Sequence, residues 1–163
     1  MSRRTALLLS SAFFLFTASM VHADETAEKW MKYFDGDWVR ESKLWTTEEG
    51  WTEEKATWTG ELAAGGLAHI SRGKGIWGEF MTILAIEGHS GQFFEYGSAA
   101  NGYRWRINFT EVSDDTLSGK LLGATGEGEI SIKKTGKDSY EAKWEFKRKD
   151  GSEMKGTAKN TRK

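Results

Sequence analysis

Arg40 and Ser42 are the polar residues best placed to orient a ligand, with Glu54 as a candidate partner for Arg40, because each interrupts a run of alternating apolar residues. Arg40 and Ser42 share a parity with Trp38 and Leu44, and Glu54 shares one with Ala56 and Trp58. On extended backbone, alternate side chains face the same way, so these polar groups lie on the side that carries the rings. An unpaired buried guanidinium is costly. Arg40 therefore requires Glu54, a nearby carbonyl or a ligand, unless it opens to solvent at a mouth.

The remaining polar residues do not assemble into a catalytic set. His69 lies mid-strand and shares parity with Leu67 and Ser71, but neither a second His nor an acid stands at metal-ligand spacing, so a structural or surface role is expected. His89 belongs to the turn 88–91. The pairs Glu53-Glu54 and Asp114-Asp115 point to opposite faces and cannot converge on one substrate. Ser71–Gly75 and Gly123–Gly128 are Gly-rich but join strands, without the strand-to-helix setting that cradles phosphate, and read as turns. Asn108-Phe109-Thr110 is a glycosylation sequon placed in a strand. Cys is absent, which excludes thiol chemistry and disulfides. No catalytic residue, metal ligand or cofactor is expected.

The elements that carry these groups follow from periodicity. Ala27, Trp30, Met31 and Phe34 fall on one face at helical spacing, with Asp24 as N-cap and Gly36 as the stop. From Asp37 onward the chain alternates with period two and is broken by turn residues at roughly ten-residue intervals. About ten strands result: 37–45, 52–61, 67–72, 76–86, 92–98, 103–112, 116–122, 127–134, 139–148 and 153–161. Connections this short make consecutive strands antiparallel neighbours, and a long meander closes to remove its edges. The fold class is all-β, an antiparallel up-and-down barrel with one N-terminal helix against a mouth or wall.

The inner face is written most plainly in Tyr103, Trp105, Ile107 and Phe109, and in Tyr140, Ala142, Trp144 and Phe146. Trp38, Trp58, Phe80, Tyr103, Trp105 and Trp144 form an aromatic lining, with Arg40 and Ser42 as orienting polar groups. The hairpin 76–98 is apolar at both parities: Phe80, Leu84, Ile86, Phe94 and Tyr96 occupy one, and Met81, Ile83, Ala85 and Phe93 the other. The helix, a second copy of the chain, or a partner must cover its outer face. Trp45 and Trp51 flank the loop 46–50 at one rim, where rim packing or stacking on a planar ligand is expected.

Residues 1–23 read as a cleaved export signal. Arg3 and Arg4 form a positive start, 6–18 an apolar stretch too short for a stable membrane anchor, and Val21-His22-Ala23 a signal peptidase site. Residues 24–163 then form one domain. Setting aside the leader, which carries Arg3 and Arg4 and no acid, takes the net charge from −1 to −3. Such a mildly acidic, mixed surface argues against nucleic acid as the main partner.

The order of helix, Gly36-Asp37-Trp38 opening the first strand, and an antiparallel meander resembles the calycin superfamily. The layout is closest to small exported bacterial calycin-like barrels, in Gly65-Gly66-Leu67, Asp115-Thr116-Leu117 and Lys147–Gly151. The resemblance implies that Trp38 lies across the barrel floor, with a basic residue of the last strand, here Arg162, over it. Arg40 and Glu41 stand where the avidin branch has small polar ligand residues. The haem-binding branch needs a late axial His, whereas the histidines after the leader are His69 and His89. The expected function is binding of a small, largely apolar ligand inside the barrel after export to the periplasm or medium. The alternative is a ligand-free interaction protein that uses the hairpin 76–98 as its contact, including contact with a second copy.

Overall fold

The structure, a computed structural model, describes residues 25–163. The export signal and the N-cap assigned to Asp24 lie outside the described residues. Helix α1 covers 25–34, and Ala27, Trp30, Met31 and Phe34 are all buried along one side of it. Gly36 follows at φ 103°, a left-handed region open to glycine and disfavoured for residues with a Cβ. The reversal turns the chain from the helix axis directly into the first strand.

Ten strands follow: β1 (Gly36–Thr46), β2 (Gly50–Ala63), β3 (Ala68–Gly75), β4 (Gly78–Ile86), β5 (Phe93–Ala99), β6 (Arg104–Val112), β7 (Thr116–Gly123), β8 (Gly126–Gly136), β9 (Ser139–Arg148) and β10 (Glu153–Arg162). Each pairs antiparallel with the next, and β10 pairs with β1, so the barrel is closed and no strand edge is left free. This is the expected meander. One strand runs further than its composition suggests: Ser71–Gly75 belongs to β3 and is not a turn. A Cβ on Gly73 would meet the Phe80 ring and the Trp58 Cβ, so the missing side chain lets the Phe80 ring lie against the strand.

Register sets which side chains face inward. Trp38 stands opposite Trp58 on β2 and Arg162 on β10. The hairpin of β4 and β5 pairs Ile86 with Phe93, which places even-numbered residues of β4 and odd-numbered residues of β5 on the same face. Phe80, Leu84 and Ile86 therefore share the interior with Phe93, while Phe94 and Tyr96 turn outward beside Met81, Ile83 and Ala85. The helix does not cover this outer face. Met81, Ile83 and Tyr96 are 42%, 36% and 45% exposed.

Helix α1 instead stops the end of the barrel where β1 begins. Trp30 Nε1 donates to the Ser113 carbonyl at 2.7 Å and the Tyr33 hydroxyl to the Ser139 carbonyl at 2.7 Å, pinning the helix to two turns of that rim. Trp38 stacks on Trp58, with centroids 5.3 Å apart and planes 4° from parallel, and donates its indole N–H to the Phe34 carbonyl at 3.0 Å. Arg162 closes the arrangement. Its guanidinium lies 4.7 Å from the Trp38 ring, donates to the Tyr33 carbonyl at 2.7 Å and to the Asp35 carbonyl, and pairs with Asp138 at 3.0 Å. One side chain thus caps the helix C-terminus and stacks on the floor, as the resemblance implied.

Truncating Arg162 to Ala removes the cap and the stacked cation together, and about 2 kcal/mol of unfolding free energy is expected to go with them. Arg162→Lys keeps the charge without the planar fork and should recover less than half of the loss. Urea unfolding followed by tryptophan emission measures both; an unchanged midpoint for Arg162→Ala would show that the floor is held by other contacts.

Candidate functional site

Above this floor the barrel encloses a cavity of about 200 Å³. Trp58, Phe80, Tyr103, Trp105, Trp144 and Arg40 all line it. Trp38 and Ser42 do not. Trp38 is fully buried in the floor beneath the cavity, and Ser42, also buried, is committed to the Glu54 carboxylate, donating to Oε2 at 3.1 Å. At the far end, Trp77 from the β3–β4 turn packs on Tyr103, centroids 5.4 Å apart, and Tyr103 stacks with Trp105 at 6.1 Å. The cavity is therefore closed at one end by the helix and narrowed at the other by rings.

The polar lining differs from the pairing considered for Arg40. Glu54 does not meet it: the Glu54 carboxylate accepts from Ser42 and from the Ile76 backbone N–H at 2.8 Å, which ties β2 to the turn carrying Trp77. Arg40 lies over the Phe80 ring at 5.8 Å, and its buried Nε has no hydrogen-bond partner among the described residues. The acid whose charge it feels is Glu95, on β5. Glu95 accepts from the Trp105 indole N–H at 2.9 Å. A Cβ on Gly97 would strike that indole, so the bare strand at Gly97 is what lets the Trp105 ring lie across β5.

Glu95 escapes a reading by composition because it sits between Phe94 and Tyr96, two large apolar residues that would normally define the inner face. Only the β4–β5 register shows that these rings point out and the carboxyl points in. Tyr140, also on the cavity wall, lies within the electrostatic reach of both Arg40 and Glu95. His69 is buried, with Nδ1 3.5 Å from Ser71 Oγ and its ring against the Phe34 backbone carbonyl. The Tyr103 hydroxyl has no partner among the described residues. Asn160 accepts from the Trp58 indole N–H at 3.3 Å near the floor.

Burial governs the ionisation of these groups. It raises Glu95 above the ordinary carboxylate range, against the opposing pull of the Trp105 N–H and the Arg40 charge. It raises the Tyr140 and Tyr103 hydroxyls and lowers the His69 imidazole. The arrangement offers hydrogen-bonding groups inside an aromatic cage. Among the described residues no cluster of His, Asp or Glu gathers at metal-ligand spacing.

A carboxyl whose folded pKa is raised binds its proton more tightly in the folded state. Its contribution to stability is complete below the ordinary glutamate value of 4.5 and is lost as pH rises through the folded value. Relative to Glu95→Gln, the wild-type protein should therefore lose stability as pH climbs above about 4.5. His69, whose lowered pKa acts with the opposite sign, is common to both proteins and cancels in the comparison. Parallel stability curves for the two proteins would contradict the raised Glu95 value.

No family model and no curated protein matches the chain. Solved structures do resemble it. An S-type phycobiliprotein lyase from Guillardia theta superposes with a TM-score of 0.61 at 11% identity, over 83% of this chain and 92% of that one. A protein of unknown function from the DUF3598 family of Nostoc punctiforme superposes with a TM-score of 0.59 at 9% identity, over 81% of this chain and 48% of that one. At such identities the likeness is one of fold, and it agrees with the closed meander and its single helix: the chain has a calycin-like β-barrel fold.

Proposed function

We propose that this barrel holds a small, largely apolar molecule in its interior, between the helix-stopped floor and the Trp77–Tyr103 mouth. The observation that carries the reading is the cavity itself: its wall is built largely of aromatic and aliphatic side chains, yet it contains a cation and a carboxyl that do not pair directly. A buried apolar cavity of about 150 Å³ is enough for benzene, so about 200 Å³ suits a planar molecule of roughly ten heavy atoms. Trp58, Phe80, Tyr103, Trp105 and Trp144 supply flat surfaces, and Arg40 and Glu95 orient the ligand. With residues 1–23 taken as an export leader, this binding takes place in the periplasm or outside the cell.

Native mass spectrometry of the protein purified from its own exported fraction should show added mass from a retained small molecule. Naphthalene added to emptied protein should quench tryptophan emission saturably. Ala142→Phe, which fills the cavity from β9, should weaken that response by about tenfold or more. Emission indifferent to naphthalene in the wild-type protein, together with no retained mass, ends this reading.

A second reading, contact between two copies through the outer face of the 76–98 hairpin, is favoured by the exposure of Met81, Ile83 and Tyr96. A two-fold contact would set the strip against itself. In sedimentation velocity the wild-type protein should then run as a dimer and Ile83→Glu as a monomer. A wild-type protein that is monomeric at high concentration removes the dimer and leaves the cavity reading untouched.

A further inference from the structure

The polar pair inside the barrel restricts what the ligand's own polar atoms are. Arg40 carries a buried Nε–H without a partner among the described residues. Glu95 faces the same cavity with one oxygen engaged by Trp105. No ion pair joins the two, although each feels the other's charge. A guanidinium only donates. A carboxylate only accepts, and a carboxylic acid does both.

We propose that the ligand carries a neutral cis-amide edge, as in a lactam or cyclic imide, with its carbonyl accepting from Arg40 and its adjacent N–H donating to Glu95. The inference rests on the ligand-binding reading above and names the chemistry of that same site. Four features of the site favour this class. An amide edge presents one acceptor beside one donor, which is the complement of a guanidinium and a carboxyl. It also suits Glu95 in either protonation state, since a carboxylate accepts the N–H and an acid can in addition donate to the carbonyl. A ligand anion would be repelled by an ionised Glu95, and a ligand cation would sit unfavourably against Arg40. Finally, lactams fused to aromatic rings are flat and mostly apolar, matching walls made by Phe80, Trp105 and Trp144.

Four bicyclic probes of similar size separate the outcomes in a tryptophan-emission titration of the purified protein. Carbostyril is a lactam, coumarin replaces its N–H by a ring oxygen, a naphthoate carries a negative charge, and naphthalene has no polar edge. Carbostyril is expected to bind about tenfold or more tightly than coumarin, because coumarin leaves Glu95 without its donor and sets an oxygen lone pair against it. In Glu95→Leu that preference should collapse to near unity, whatever the absolute affinities. If this variant does not fold, the wild-type comparison still decides. Equal binding of carbostyril and coumarin, or tightest binding by the naphthoate, overturns the amide assignment while leaving a ligand-binding barrel in place. If none of the four binds and the purified protein retains no added mass, both readings fall.

Discussion

The contact between Arg162, Trp38 and the end of helix α1 is the constraint on which the interior depends. A ten-strand meander closed only by β1 and β10 is a tube, and a tube open to water at both ends holds no apolar ligand for long. Arg162 converts one end into a floor by satisfying the Tyr33 and Asp35 carbonyls, which would otherwise be left at the helix terminus, while its flat cation covers the Trp38 ring. Because Trp38 in turn stacks on Trp58, a residue that lines the cavity, the last strand, the helix and the cavity wall are mechanically one unit.

Within that unit, glycine placement decides where the rings go. Gly73 leaves room for the Phe80 and Trp58 side chains, and Gly97 for the indole of Trp105. Gly156 does the same for Trp144 on the facing strands. A small barrel with this many large aromatic side chains would be overpacked if every inward position carried a Cβ. Bare stretches of strand beside big rings let the rings lie flat against the wall, and a central cavity is the geometric consequence.

Electrostatics gives the interior its chemical character. Glu54 is consumed by structure, holding Ser42 and the turn that bears Trp77. Arg40 and Glu95 are not consumed in this way. They remain apart on different strands, partly desolvated, and both line the cavity. Outside, the cross-strand pairs Lys43–Glu53 and Lys55–Glu41 are exposed and add little to stability. The uncommitted charges inside matter more, because low dielectric raises the value of any partner they gain.

All ten strands, the helix with its buried face of Ala27, Trp30, Met31 and Phe34, and the inward rows of β6 and β9 were legible from periodicity alone. Hydrophobic alternation and turn chemistry are local, and a strand with one apolar face has a single sensible orientation. The floor pairing of Trp38 with Arg162 was legible only through family resemblance, since the two are joined by the closing β1–β10 register. The hairpin of β4 and β5 was ambiguous for a physical reason: both of its faces are apolar, so alternation carries no sign. There the tertiary register alone decided that Phe94 and Tyr96 face solvent and Glu95 faces the cavity. The sequence by itself determined that the chain wraps around its aromatic residues. Only the closed barrel determined which carboxyl shares the cavity with Arg40 and feels its charge, because β1 and β5 meet across the circumference and through no local segment.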